Sequence, residues 1–138
     1  MNWFLWALLS AFFAGLTAVL AKVGVEHINS NLATAIRTVV ILIFAWSFAL
    51  FTNTQSISTI ARRTWIFLIL SGIATGLSWL CYFRALQLGE ASEVAPVDKL
   101  SVVIAIVLAA IFLHERVTWH HWLGGGLILT GALVLAFA

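Results

Sequence analysis

Charge is what this 138-residue sequence has least of: Asp, Glu, Lys and Arg make up 9% of it, where a water-soluble domain carries about 25%. Cysteine is present once, as Cys81. A single thiol excludes an intrachain disulfide, and its place inside an apolar stretch predicts a small buried side chain. No Lys or Arg precedes the first apolar stretch, which runs 21 residues before Lys22. That flank and length do not suit a cleaved signal peptide, so the segment reads as a retained span. No run of alternating polarity marks the strands of a membrane barrel. Glycine-rich phosphate loops, paired catalytic carboxylates and a nucleophile constellation are missing too, so the sequence reads as a non-enzyme without a cofactor. His114, Glu115, His120 and His121 resemble a metal motif superficially. Zinc-protease spacing would need histidine at 118, where Thr118 stands, so no metal site is expected.

What remains is apolar: 63% of residues are hydrophobic and the mean hydropathy is +1.10. Such a chain has too little polar surface for a soluble globule and belongs in a lipid bilayer. Its seven cations (Lys22, Arg37, Arg62, Arg63, Arg84, Lys99, Arg116) divide long neutral stretches. A formal charge of +2 describes a few loop arginines, not a basic surface, and predicts no nucleic-acid partner.

A crossing needs roughly 20 helical residues at about 1.5 Å each. The fold expected is therefore an all-α membrane protein with five transmembrane helices at residues 3–21, 32–51, 65–83, 94–113 and 119–138. Residues 26–31 supply turn formers and a cap for the second helix, and 52–64 form a polar segment ending in Arg62 and Arg63. Gly89 is placed to stop the third helix, and residues 114–118 make a tight turn. Trp3, Trp6, Trp65, Trp119 and Trp122 fall near span ends, where amphipathic indoles favour the headgroup region.

Five crossings put the termini on opposite sides. Arg62, Arg63 and Arg116 then lie on the N-terminal side and Lys22, Arg37, Arg84 and Lys99 toward the other. Three against four is almost no positive-inside bias, so orientation is weakly specified. A chain able to insert both ways can pair with an inverted copy of itself, and an antiparallel homodimer is the assembly expected.

Only 14 residues separate Arg37 from Thr52, and 14 separate Lys99 from His114. Neither stretch spans a hydrocarbon core about 30 Å thick, so the second span must run back through Arg37 and the fourth through Lys99 and Asp98. Embedded charges usually pair or line a wet cavity, which makes Arg37, Asp98 and Lys99 a candidate charged gate. Arg37 has Asp98, Glu90 or Glu93 as prospective partners, and Lys99 has Asp98 or the headgroups. The structural reading of the same cluster puts Pro96 in the first turn of a helix, Asp98 on its exposed N–H groups and Lys99 snorkelling.

Ser71, Thr75, Ser78 and Tyr82 recur at steps of four, three and four on the third span, which aligns them on one face. With Trp79 they form a candidate substrate path, or the hydroxyls back-bond to their own helix. Small residues at Gly72 and Gly76, at Ala7, Ala11 and Gly15, and at Ser101, Ala105 and Ala109 suit close helix packing. The run Gly124, Gly125, Gly126 with Gly131 suits a tight contact or a flexible joint, where two copies can meet.

From Arg37 onward the order of motifs resembles an EamA domain of the drug/metabolite transporter superfamily. The likeness is carried by Arg37, the Tyr82-Phe83-Arg84-Ala85-Leu86 segment, Ala95-Pro96-Val97, the Leu113-His114-Glu115-Arg116 turn and residues 126–131. Val97-Asp98-Lys99-Leu100-Ser101 resembles short single-domain members. The resemblance implies a secondary transporter of a small molecule in a prokaryotic cytoplasmic (inner) membrane. Most members carry two inverted domains, so a single one implies a dimer that rebuilds the ten-helix unit, as in the small multidrug resistance proteins. Those have a membrane-embedded glutamate in the first span; this sequence has none there. The competing reading is a non-transporting helical subunit that stabilises or regulates a larger membrane partner.

Overall fold

The computed structural model describes residues 2–53 and 55–138. Every regular element among them is helical: α1 (Trp3–Gly24), α2 (Ser30–Thr52), a single 3₁₀ turn (Ile57–Thr59), α3 (Arg62–Leu88), α4 (Ala91–Asp98), α5 (Ser101–Phe112) and α6 (Trp119–Ala136). Among the described residues, four stretches are long and apolar enough to cross a membrane: Trp3–Gly24, Ser30–Thr52, Arg62–Leu88 and Ala91–Phe112. The last helix, α6, has 18 residues and opens with Trp119, His120, His121 and Trp122, which dilute its hydropathy.

Helix boundaries follow local chemistry. Asn29 caps α2, its Oδ1 accepting from the backbone N–H of Asn31 at 2.8 Å and of Leu32 at 3.3 Å. This satisfies donors that have no partner within the first turn. Thr118 caps α6 in a capping box in which His121 Nδ1 accepts from the Thr118 backbone N–H at 3.1 Å. His121 is thereby a helix-start residue. Gly89 follows α3, as expected, yet its φ is negative, so it does not end the helix through the left-handed region. His114, in the turn after α5, takes that conformation instead, with φ 54°.

The fourth span differs from its expected form. It begins at Ala91, not Val94, and is broken at Lys99 and Leu100. Pro96 is the sixth residue of α4, not a first-turn residue. It has no N–H for the carbonyl one turn back, and its ring crowds that carbonyl. The break itself lies just after Pro96, where tighter bonds join Lys99 N–H to Pro96 O and Leu100 N–H to Val97 O, both 3.0 Å. Asp98 therefore closes a short helix. The first-turn acid is Glu93.

Two compact units divide the chain. One holds residues 1–23 and 88–138; the other holds 24–87. In the first, α6 packs against α4 and α5. Gly125 is buried there, and a Cβ on it would meet Ile106 Cδ1 at 3.5 Å. Lys22, at the end of α1, donates from Nζ to Gly89 O at 2.8 Å. The second unit is the α2–α3 hairpin. Buried apolar side chains are few, namely Ala18, Val25, Phe83, Leu86 and Ala132, while most large apolar side chains face outward. That inversion suits lipid as the surrounding solvent. Cys81 is among the exposed residues, contrary to the buried thiol expected, because it lies opposite the Trp79, Phe83 and Leu86 face of α3.

Thr118→Ala removes the α6 cap and is expected to destabilise the protein by about 1 kcal/mol. A lower midpoint of thermal unfolding in detergent is the measurement that checks it.

Candidate functional site

Arg37 is the eighth residue of α2, about 10 Å along its axis. Three residues on the same face prepare its setting. Ser30 and Thr34 are buried, and Ile41 continues the line at steps of four, three and four. The Thr34 hydroxyl donates to Ser30 O at 2.9 Å and that of Thr38 to Thr34 O at 2.7 Å. Back-bonding gives these hydroxyls partners within their own helix.

From α3, Trp79 and Phe83, one turn apart, present their rings to Arg37. The guanidinium carbon lies over Trp79 at 4.8 Å from the ring centroid and over Phe83 at 5.2 Å. Tyr82 sits beside Phe83 with ring centroids 6.4 Å apart. Both rings face the cation with π-density, an attraction that strengthens where water is scarce. Glu26, the one carboxylate within residues 24–87, lies beside His27 at 3.9 Å in the preceding turn.

Gln87 fastens this end of the hairpin. Its Nε2 donates to Val25 O at 3.0 Å and to Ile28 O at 2.6 Å, and its Oε1 accepts from Arg84 Nη1 at 3.0 Å. Val25, Phe83 and Leu86 are fully buried around it. Farther along α3, Gly72 and Gly76 share the face of Trp79 and Phe83, yet a Cβ on either would meet nothing within 4 Å. The helices thus touch at the Arg37 end and leave open space beside the middle of α3.

The residues singled out from sequence are partly brought together. Trp79 and Arg37 meet, with Tyr82 beside them. Ser71, Thr75 and Ser78 are exposed on α3, and the Thr75 hydroxyl donates to Ser71 O at 2.9 Å. Asp98 and Lys99 lie in the other unit at the α4–α5 break, where Lys99 Nζ is 3.6 Å from Asp98 Oδ2. Both are substantially exposed in the isolated chain, and such a pair contributes little to stability where water screens it. The sequence reading missed Ser30, Thr34, Phe83 and Gln87. The signal for the first two was available, since the α2 face repeats the same steps that mark the α3 stripe.

Apolar helices of spanning length, covered outside by large apolar side chains and holding an embedded cation, define a multi-pass integral membrane protein. The chain belongs to the EamA-like transporter family, whose profile matches residues 1–137. It is 57% identical over 136 residues to the uncharacterized transporter in the cobO 3′ region of Sinorhizobium sp., covering 98% of this chain and 96% of that one. It is 35% identical over 68 residues to the "Probable 4-amino-4-deoxy-L-arabinose-phosphoundecaprenol flippase subunit ArnE" of Aeromonas salmonicida, covering 49% of this chain and 60% of that one. A third likeness, 28% over 131 residues, is to the uncharacterized transporter YxxF of Bacillus subtilis, covering 92% of this chain and 40% of that one. No solved structure matches.

Gln87→Ala strands two carbonyl oxygens and is expected to cost about 1–2 kcal/mol. Gln87→Glu is expected to cost more, because an ionised carboxylate only accepts and would face those same oxygens. Unfolding titrations of the reconstituted protein in dodecyl sulfate check the order.

Proposed function

We propose that the chain is a secondary transporter that moves a small metabolite by alternating access, working as an inverted homodimer of ten helices. The observation that carries this reading is Arg37, eight residues into a membrane-length helix and held on Trp79 and Phe83 of a second one. Membership of a transporter family supports it.

Five crossings require α6 to span. Its 18 residues reach about 27 Å, and its opening Trp-His-His-Trp turn suits the headgroup layer. Odd parity then places the termini on opposite faces. The weak bias of the cations leaves both orientations accessible, so a single sequence can supply both halves of an inverted pair. The Bacillus relative, of which this chain's match fills 40%, has room for a second unit of the same size. Each protomer contributes Arg37, Asp98 and Lys99 as the charged gate of one mouth, so identical gates stand on both faces and exchange roles about a central site. Ser71, Thr75, Ser78, Trp79 and Tyr82 of both third helices surround the cargo. The cycle needs no cofactor, metal or bond-making step, and the bacterial relatives support an inner-membrane location.

A second reading has its own support. The Aeromonas relative is named a flippase subunit, and a short chain of this family suits a stabilising or regulatory role in a larger membrane assembly, or a heterodimer with a similar short chain. A partner purifying at fixed stoichiometry, with no flux from the pure chain, would favour it.

In proteoliposomes, Arg37→Ala and Asp98→Ala are each expected to reduce flux at least tenfold; unimpaired flux in both rejects the gate. Cysteines introduced singly at Ser71, Thr75, Ser78 and Tyr82, in a Cys81→Ala background, are expected to react with aqueous reagents. Protection of all four rejects the stripe as a lining. Tags on the two termini should report mixed orientations in cells, and one uniform orientation removes the inverted pair.

A further inference from the structure

We infer that Arg37, Trp79 and Phe83 form an oxyanion site: the cargo carries a phosphate or carboxylate, and the Arg37 guanidinium binds it. The inference rests on the transport reading above and narrows its substrate class.

A guanidinium has five N–H donors in one plane, set in a fork that fits two oxygens of a phosphate or carboxylate. Aromatic rings attract such a cation through their faces and provide no oxygen acceptor, so the contacts at 4.8 and 5.2 Å orient the group without neutralising it. Within residues 24–87 no carboxylate is left to do so, because Glu26 sits beside His27 in the turn. Arg37 is itself only half-buried, so its side chain is not sealed inside protein. On the same face of α3, a Cβ at Gly72 or Gly76 would meet nothing within 4 Å.

Position decides between two uses of an embedded arginine. One that merely snorkels lies along its own helix with its head toward the interface. Here the head is held against rings of a second helix, and Gln87 locks that helix to the turn preceding α2. Such fixing costs side-chain freedom that snorkelling would keep, and it presents a planar donor edge in one place. An amine-bearing cargo without an anion would meet a fixed like charge there and be repelled.

Binding is tested apart from flux. The purified full chain in maltoside micelles is titrated with inorganic phosphate and acetate as soluble anions. Dihexanoyl phosphatidic acid serves as a lipid-borne phosphate, and dihexanoylglycerol as the same lipid without phosphate. The midpoint of thermal unfolding should rise with the anionic ligands and stay constant with dihexanoylglycerol. Response to inorganic phosphate at concentrations similar to the lipid marks a soluble anion as cargo, and response to phosphatidic acid alone marks a lipid-linked one. Arg37→Lys, which keeps the charge and loses the fork, should weaken binding about tenfold. Arg37→Gln should abolish it, with monodispersity and helix content checked for both.

The site is overturned if no anion stabilises the wild type, or if Arg37→Gln responds as the wild type does. It is equally overturned if Arg37→Asp combined with Asp98→Arg restores flux that each change alone destroys, since the arginine would then serve an internal pair. Arg37-dependent anion binding without flux from the pure chain sinks the carrier reading and keeps the site. Flux without such binding does the reverse.

Discussion

A guanidinium eight residues into an apolar helix must be solvated by something other than water, and the geometry of the α2–α3 hairpin follows from that requirement. Inserting an arginine near the middle of a membrane helix costs about 2.5–3.5 kcal/mol, less toward the ends. Two cation–π contacts of about 0.5–2 kcal/mol each offset much of this. They need α3 close by, with two aromatic residues one turn apart. The Thr34 hydroxyl is satisfied by Ser30 O within its own helix, and the Gln87 amide ties α3 to the turn before α2. Each of these features has little reason to exist without Arg37.

The two units treat their embedded charges differently. At the α4–α5 break, Asp98 and Lys99 neutralise one another within adjacent residues. In the hairpin, the Arg37 guanidinium lies over the Trp79 and Phe83 rings. A neighbouring opposite charge hides a cation electrostatically, whereas a π-system positions it. The distinction separates a pair that meets its own countercharge from a group suited to ligand contact.

Much of the architecture was legible in the sequence because membrane insertion imposes a length on apolar runs and loops carry polar turn formers. The α2 cap at Asn29 and the spans before residue 88 follow from those rules. The break at Lys99 was harder to read. Pro96 fits a first turn or an interior kink equally well, and only the start at Ala91 decides between them. The hydroxyl stripe on α3 has the same periodicity whether it lines a path or bonds to its own backbone, as Thr75 does. Which aromatic residues would meet Arg37 depends on the rotation of α3, and no periodicity within a single helix fixes that against a neighbour. His121 shows the opposite case: a residue type linked with metals became a helix cap, because Thr118 stands three positions before it.

Only five apolar residues of the described chain are buried within the fold, while the great mass of leucine, isoleucine, valine and phenylalanine faces outward. In a soluble domain, losing the fold wets such side chains and raises the heat capacity by about 12–15 cal/mol/K per residue, which curves stability against temperature and permits cold denaturation. Here the same side chains contact acyl chains both before and after the helices separate. The calorimetric signature of a hydrophobic core should then be small, with stability expected to vary almost linearly with temperature.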